Sequence, residues 1–288
     1  MSSVLRPPAV RVEALTGGVP ADVLAFVEAD PIVNAVVSAR LRAAGSLDAR
    51  RLGGTLLSVR DATGAIAGGA LAGGNLMPIG GGPDQWRALG RHLADRRRPC
   101  SSIIGRVAAV EGMWDELAGS WDAPRAVRAA QPLLVLDSVA GLPAGDPRVR
   151  PVRPDELERY LPAAAAMFTE ELGISPYRQA GPADYRRRVE SLINAGHAYA
   201  VFDEGGDVVF KADFGVVSRH TCQLQGVWVR PELRGRGIGS AALVTVLRRA
   251  LQLAPTASLY VNDYNRAARR TYDRLGMRQV ATLSTVLF

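Results

Sequence analysis

Hydrophobic and polar positions follow strand and helix periodicities in two successive halves of the chain. Between the halves, residues 141–147 (Gly-Leu-Pro-Ala-Gly-Asp-Pro) show no periodicity and are rich in Gly and Pro. Such a composition is typical of a connection rather than of a helix or strand. The pattern therefore predicts an N-terminal domain at 1–140, a linker at 141–147 and a C-terminal domain at 148–288.

The C-terminal half predicts seven strands and four helices. In chain order they are a strand 149–153, helices 154–172 and 183–195, strands 197–203, 208–217 and 222–229, a helix 239–253, a strand 258–261, a helix 266–275 and two closing strands to Phe288. The turn 203–207 makes the strands on either side of it a hairpin. This order predicts a mixed, mostly antiparallel sheet flanked by helices, an α/β (α+β mixed-sheet) fold.

The N-terminal half repeats this order with a weaker signal. Its predicted elements are a strand 9–14, helices 22–29 and 32–44, strands 54–60, 66–73 and 76–79, a helix 84–97, a strand 101–107, a helix through Trp114 to Leu117 and a strand 132–137. The shared order predicts two tandem domains of one fold, as an internal duplication would produce.

Composition excludes several classes of protein. The 288 residues are 48% apolar and 22% charged, with no signal peptide and no apolar run of the roughly 18 residues that a membrane span needs. Cys100 and Cys222 stand far apart, and no His or Cys spacing predicts a metal site. We therefore expect a cytoplasmic protein that uses neither a membrane nor a metal. The sequence leaves the oligomeric state open, a homodimer included.

The net charge of +7 raises the question of nucleic-acid binding. The basic residues are scattered among acids, and no run of them is longer than three, as at Arg96 to Arg98. Because binding to phosphates in general requires a clustered basic face, a nucleic-acid partner is disfavoured.

Arg234-Gly235-Arg236-Gly237-Ile238-Gly239 carries the strongest chemical signal in the chain. It follows a predicted strand and leads into a predicted helix. Glycines let the backbone approach a ligand closely, and the first amides of a helix have no intrahelical partner. Together with the helix dipole they form a site for an anion such as a pyrophosphate. The first helical turn, Ser240 to Leu243, contains no acid that would repel it.

Here the sequence resembles the GCN5-related N-acetyltransferase (GNAT) family. The loop matches that family's acetyl-CoA signature, Arg/Gln-x-x-Gly-x-Gly/Ala. A second family segment, Asn-x-x-Ala-x-x-x-Tyr, matches Asn265 to Tyr272. The resemblance covers about residues 148–288. The N-terminal half resembles an uncharacterised, degenerate GNAT-like domain found ahead of some bacterial GNAT domains, and the tandem plan is similar to that of mycothiol synthase.

The resemblance implies a role for each matching position. Backbone groups of Val227 and Val229, on either side of Trp228, would bind the pantetheine arm where two strands part. Tyr272 would act as the general acid beside the thioester sulfur, although it could instead simply pack its helix against the sheet. The expected acetyl-CoA contacts are Val227, Trp228, Val229, Arg234, Gly235, Arg236, Gly237, Ile238, Gly239, Ser240, Asn265 and Ala268.

The general base is less clearly marked. A thioester is already activated, but a lysine-like amine with a pKa of about 10.4 must lose a proton before it attacks. The strand before the loop offers Gln225 and no acid. Asp213 and Glu171, with Glu170 beside it, are the candidates. Asp213 could instead form an edge-strand salt bridge with Lys211, the only lysine, and the two glutamates could be a solvated helix end.

The corresponding junction in the N-terminal half is Leu76 to Asp84. It has glycines but no arginine, Pro83 removes an amide, and Asp84 would repel an anion. We therefore expect no cofactor in this half and one acetyl-CoA per chain. The sequence predicts an enzyme that moves an acetyl group from acetyl-CoA to a primary amine of a small molecule or of a peptide or protein. The alternative is a catalytically silent acetyl-CoA-binding sensor or scaffold.

Overall fold

The computed structural model describes residues 11–179 and 181–288, and they form two compact units. Unit 1 comprises the described residues up to Leu133 together with Asn262–Tyr264 and Val280–Phe288. Unit 2 comprises Leu134–Val261 and Asn265–Gln279. The predicted first strand began at Ala9, so its first two residues lie outside the described part.

Unit 1 contains seven strands and five helices. The ends of two of these strands, residues 134–136 and 278–279, belong to unit 2. In chain order they are β1 (Val12–Ala14), α1 (Ala21–Glu28), α2 (Ala35–Ala44), α3 (Ala49–Leu52), β2 (Gly54–Arg60), β3 (Ile66–Gly73), β4 (Leu76–Ile79), α4 (Pro83–Ala94), β5 (Ser102–Arg106), α5 (Val107–Leu117), β6 (Ala126–Leu136) and the last strand, β12 (Arg278–Leu287). The strand order is β1-β2-β3-β4-β5-β12-β6. Strand β4 is parallel to β5, and β12 is antiparallel to β5.

The remaining elements belong to unit 2. They are β7 (Arg150–Pro151), α6 (Leu157–Leu172), α7 (Pro176–Gln179), α8 (Pro182–Asn194), β8 (Ala198–Phe202), β9 (Val208–Val217), β10 (Cys222–Val229), α9 (Ile238–Leu253), β11 (Ala257–Tyr260) and α10 (Arg266–Arg274). Within unit 2 the strand order is β11-β10-β9-β8-β7. The predicted mixed sheet with flanking helices is confirmed.

Strand β9 shows how unit 2 builds its core. Seven consecutive residues, Val208 to Phe214, are buried, because helices cover both faces of the sheet. Successive side chains of a strand point to opposite faces. Phe210 and Phe214 accordingly pack in the cluster with α9, whereas Asp213 points to the other face and contacts Tyr160 of α6. Val208 also packs with α6 and α8, because the register with β8 shifts beside it.

The two predicted closing strands are wrong, because residues 278–287 form one strand. The segment Arg-Gln-Val-Ala-Thr-Leu-Ser-Thr-Val-Leu contains no Gly, Pro, Asn or Asp that would favour a turn. Strand β6 begins six residues before the predicted Pro132. Two four-residue helices were missed. One of them, α3, begins after Asp48, whose side chain accepts hydrogen bonds from the amides of Arg50 and Arg51.

The predicted domain limits of 140 and 148 differ from the compact units. Residues Val280–Phe288 belong to unit 1, where β12 pairs along β5 from Leu283 opposite Arg106 to Leu287 opposite Ser102. The segment 141–147 lies within unit 2, where the Asp146 amide donates to the Ala241 carbonyl of α9. The Gly and Pro residues therefore mark a break in periodicity rather than the boundary between the units. Strand pairing determines the unit to which β12 belongs.

We expect Val286→Ala to destabilise unit 1 by about 2 kcal/mol, because it removes buried methyl groups from the core. Val286 is 2% exposed and pairs with Ile103 of β5. Hydrogen exchange of β5 amides measures the loss. Val280→Ala is the matched control, since Val280 lies on the same strand and is 36% exposed. Equal protection of β5 in both variants would contradict this assignment of β12.

Candidate functional site

Strands β10 and β11 of unit 2 pair over only a short length, and the gap beyond this pairing is the candidate cleft. Their parallel register covers Cys222 opposite Ala257 and Gln223 opposite Ser258. The Thr221 hydroxyl donates to Ser258 Oγ at 2.8 Å and ties the strands together at this end. Strand β10 runs on for six more residues, to Val229, beyond the described pairing with β11. The expected acetyl-CoA contacts Val227 to Val229 therefore lie beyond this pairing.

The glycine-rich loop lies open above the N-terminus of α9. Gly235 and Gly237 have φ of +78° and +79°, a conformation that side chains with a Cβ rarely adopt. A methyl group added to either glycine would meet no atom within 4 Å. Gly237 caps α9, and the first turn of the helix carries no acid. The loop therefore leaves free space in front of amides that lack intrahelical partners, as an anion site requires.

Arg234 holds this loop in place. Its Nε donates to the Val229 carbonyl at 2.9 Å, and its Nη2 donates to Glu170 Oε2 at 2.6 Å. The other oxygen of Glu170 accepts from Trp228 Nε1 at 2.9 Å. One carboxylate at the end of α6 thus joins the loop to the end of β10. Arg234 contributes to the shape of the loop as well as to its charge.

Asn265 is the N-cap residue of α10, and Ala268 lies in the first turn of that helix. The side-chain oxygen of Asn265 accepts a hydrogen bond from the Ala268 amide at 3.1 Å. This satisfies one of the otherwise unpaired amides of the first helical turn. The structure therefore gives both residues a role in starting the helix that carries Tyr272.

Tyr272 is buried, at 7% exposure, in the core cluster that also includes residues of β10. Burial raises the pKa of its phenol well above the ordinary value, and the nearby Glu171 carboxylate raises it further. The hydroxyl makes no hydrogen bond to any described residue of the protein. It is therefore a protonated donor at neutral pH that is available for a ligand.

Asp213 lies in a buried ion pair. Lys211 Nζ donates to Asp213 Oδ2 at 2.7 Å, and the hydroxyl of Tyr160 donates to Asp213 Oδ1. Asp213 and Lys211 are 4% and 0% exposed. The structure thus contains the salt bridge between Asp213 and Lys211 that was one of the two interpretations of Asp213. The expectation of an edge strand is wrong, however, because β9 lies between β8 and β10.

Glu170 and Glu171 occupy the last turn of α6. This turn contains no basic residue, and the helix is capped by Gly173. Acids at a helix C-terminus oppose the helix dipole, so helix formation does not favour them here. Glu170 pairs with Arg234, so it is not the purely solvated group of the alternative interpretation. Glu171 is exposed, and its carboxylate is the one that acts on the pKa of Tyr272.

Sequence reasoning missed the bulge in β10 and the contacts that hold it. The register with β9 shifts between Gln225 and Trp228, and Gly226 has a φ of +59°. Lys211 Nζ also donates to the Gly226 carbonyl at 3.0 Å. An isolated Gly inside a strand pattern was the available signal, because such residues often mark bulges.

The corresponding loop of unit 1 is filled by its own side chains. The Gly82 amide donates to Gln85 Oε1 at 3.0 Å, and Trp86 Nε1 donates to the Gly80 carbonyl at 2.8 Å. A methyl group added to Gly81 would lie 3.2 Å from both side chains. Asp84 stands in the first turn of α4. The amides and the space that an anion would use in unit 2 are thus already taken in unit 1.

Unit 2 also has an open groove of about 530 Å³ on the α6 side of its sheet. It is lined by Arg159, Pro162, Ala163, Ala166, Asp207, Val208, Trp228, Arg230, Glu232 and Leu233. Neither Tyr272 nor the loop glycines line it, so it is distinct from the cleft between β10 and β11.

The described residues contain neither a candidate metal site nor a candidate membrane-spanning helix. No three or more His, Cys, Asp or Glu side chains are grouped so that they could hold a metal ion. No helix in this part of the chain combines the length and the apolar character that crossing a membrane requires.

Two families of known domains match separate parts of the chain. Residues 164–277 match the acetyltransferase (GNAT) family, and residues 54–160 match a domain of unknown function, DUF4081. No match was found among curated proteins. The C-terminal half of the chain therefore contains a GNAT-family domain, preceded by a DUF4081 domain.

Solved structures share the fold at low sequence identity. A GNAT-family acetyltransferase from Colwellia psychrerythraea is 11% identical, with a TM-score of 0.56 over 96% of this chain and 99% of its own. A GCN5-related N-acetyltransferase from Sphaerobacter thermophilus is 18% identical, with a TM-score of 0.57 over 98% and 96%. A Drosophila protein is 14% identical, with a TM-score of 0.63 over 97% and 99%. At such identities the likeness establishes the fold alone.

We expect Gly226→Ala to destabilise unit 2 by more than about 2 kcal/mol, because strain at positive φ adds to steric overlap. The new methyl group would lie 2.8 Å from Lys211 Nζ and 2.8 Å from Met167 Cε. Gly196→Ala is the control, since Gly196 has a φ of +70° with nothing within 4 Å and should lose only about 1 kcal/mol. Denaturant unfolding measures both. Equal losses would show that strain alone matters at Gly226.

Proposed function

We propose that this protein transfers the acetyl group of acetyl-CoA to a primary amine of a small molecule or of a peptide or protein. The observation that carries the proposal is the open Gly235–Gly237 loop at the N-terminus of α9, which follows the part of β10 that does not pair with β11. An extended pantetheine arm fits between strands that have stopped pairing, and a pyrophosphate fits the amides at the N-terminus of α9. The proposal places the protein in the cytoplasm, in keeping with its two free thiols.

The chemistry requires three groups from the protein: a base for the amine, a hydrogen-bond donor for the carbonyl oxygen and an acid for the thiolate. The neutral amine attacks the thioester carbonyl carbon, and the carbonyl oxygen gains negative charge. The backbone amide of Val227, on the bulge of β10, is the donor we assign to that oxygen. The C–S bond then breaks, and the thiolate of CoA receives a proton from the Tyr272 hydroxyl. Because its pKa is raised, Tyr272 holds this proton at neutral pH.

Glu171 is the stronger of the two base candidates. Both oxygens of Asp213 already accept hydrogen bonds from Lys211 and Tyr160. Glu171 is exposed at the end of α6 and acts electrostatically on Tyr272. We therefore assign to Glu171 the removal of the amine's proton, directly or through water.

Release of CoA thiol from acetyl-CoA in the presence of primary amines tests the reaction. A useful panel contains a polyamine, an amino sugar, a lysine peptide and a peptide with a free N-terminus. Binding of acetyl-CoA without amine-dependent thiol release across such a panel would favour the silent sensor or scaffold. The hydroxyl of Tyr272, which no described residue binds, argues against that alternative, because binding alone gives no use for a proton donor.

Tyr272→Phe should lower kcat by about 100-fold or more, the usual contribution of a general acid, with little change in KM for acetyl-CoA. Tyr199→Phe is the matched control, because Tyr199 is equally exposed at 7% and packs in the same core cluster. Steady-state kinetics of both variants distinguish loss of the proton donor from loss of a buried hydroxyl. An unchanged kcat in Tyr272→Phe would remove Tyr272 from the mechanism.

Gly237→Glu should abolish acetyl-CoA binding, because it places a carboxylate and a strained backbone at the pyrophosphate site. Gly196→Glu adds the same charge at a similar φ in unit 2 and should bind normally. Titration calorimetry should give one acetyl-CoA per chain for the wild type and none for Gly237→Glu. Residual binding by Gly237→Glu would mean that a second site exists outside this loop.

A further inference from the structure

The bulge in β10 lies where the proposed reaction needs its backbone donor. Gln225 pairs with Asp213 and Trp228 pairs with Lys211, so two residues of β10 oppose the single Ala212 of β9. Those two residues are Gly226 and Val227. The left-handed conformation of Gly226, with φ at +59°, turns the peptide between them out of the regular ladder.

Lys211 anchors that peptide. Its ammonium donates to the Gly226 carbonyl at 3.0 Å and to Asp213 at 2.7 Å, and lies 5.5 Å from the centre of the Tyr160 ring. The side chain is completely buried. Asp213 is itself fixed by the Tyr160 hydroxyl. A single network thus connects the first turn of α6 to one carbonyl of β10.

Core stability does not require this network. Desolvating two charges is costly, and well-packed apolar residues often replace a buried ion pair without loss of stability. The rest of β9 from Val208 to Phe214 is apolar. A charged pair in this strand is therefore best explained by the group that it holds.

Peptide planarity links Lys211 to Val227. In a trans peptide the C=O and N–H bonds lie in one plane and point in opposite directions. Fixing the Gly226 carbonyl on Lys211 therefore fixes the Val227 N–H in the direction away from Lys211. A cation at the carbonyl also polarises the peptide and strengthens its N–H as a donor.

We propose that Lys211 is a positioning residue that aims and polarises the Val227 amide toward the thioester oxygen, with Asp213 and Tyr160 holding its ammonium in place. This inference rests on the proposed function. It assigns Lys211 and Asp213 an action through the backbone, with no proton transfer and no contact with the substrate.

The test uses the double variant Lys211→Met/Asp213→Asn, which removes both charges and keeps an oxygen for the Tyr160 hydroxyl. Its matched control is Arg150→Met/Glu156→Gln, which removes another ion pair of unit 2, one with a 2.7 Å contact and a buried carboxylate. Infrared spectra of acetyl-CoA labelled with ¹³C at the acetyl carbonyl report the hydrogen bond to that oxygen without any acceptor amine. Calorimetry gives the acetyl-CoA affinity, and thermal unfolding gives the stability.

Wild type and control should shift the bound carbonyl stretch to lower frequency, and the Lys211→Met/Asp213→Asn variant should lose most of that shift. Its Kd for acetyl-CoA should stay within about threefold, because the pyrophosphate contacts dominate binding. With an amine that turns over, kcat should fall by about 10- to 100-fold, as for a weakened oxyanion donor. A wild-type shift and kcat in the double variant, or an equal loss in the control, would overturn the proposal.

Lys211→Gln provides a second test if the double variant does not fold. Its amide can still donate to the Gly226 carbonyl but carries no charge, so the carbonyl shift should shrink without disappearing. An unchanged shift would overturn the polarisation by Lys211. Failure of the wild type to bind acetyl-CoA would contradict the proposed function itself, whereas binding without a carbonyl shift would contradict this inference alone.

Discussion

The interruption of strand pairing along β10 is the constraint on which the candidate site depends. On one side, pairing with β11 extends over only two residues, Cys222 and Gln223. On the other side, the bulge at Gly226 breaks the ladder with β9. Buried backbone groups that leave a ladder must find other partners. Lys211 satisfies the Gly226 carbonyl, and the ends of the strand are secured by Thr221 at one end and by Arg234 at the other.

The same constraint explains which side chains surround the cleft. Once β10 has parted from β11, the loop that follows must be fixed by side chains rather than by neighbouring strands. Glu170 does this by accepting from both Trp228 and Arg234. An exposed ion pair contributes little stability by itself, but a carboxylate shared by two donors fixes a geometry. The end of α6 and the Arg234–Gly239 loop are therefore placed together.

Much of this arrangement could be predicted from the sequence, because it follows from local rules. Strands 54–60, 66–73, 76–79, 208–217 and 222–229 were predicted with the bounds that the structure shows, since their apolar runs end at turn residues. The Lys211–Gly226 contact could not be predicted, because it spans 15 residues and depends on a shift of register. The membership of β12 in unit 1 is likewise a long-range pairing that composition does not encode.

The two glycine loops have a similar backbone arrangement and differ in a few side chains. Both loops follow a strand that pairs briefly with a parallel neighbour, Leu76 with Ile103 in unit 1 and Cys222 with Ala257 in unit 2. In unit 1, Gln85 and Trp86 turn back onto the loop and satisfy its backbone from within. In unit 2 the loop keeps its amides and its space open. Arg234 and Glu170, rather than side chains within the loop, fix its position.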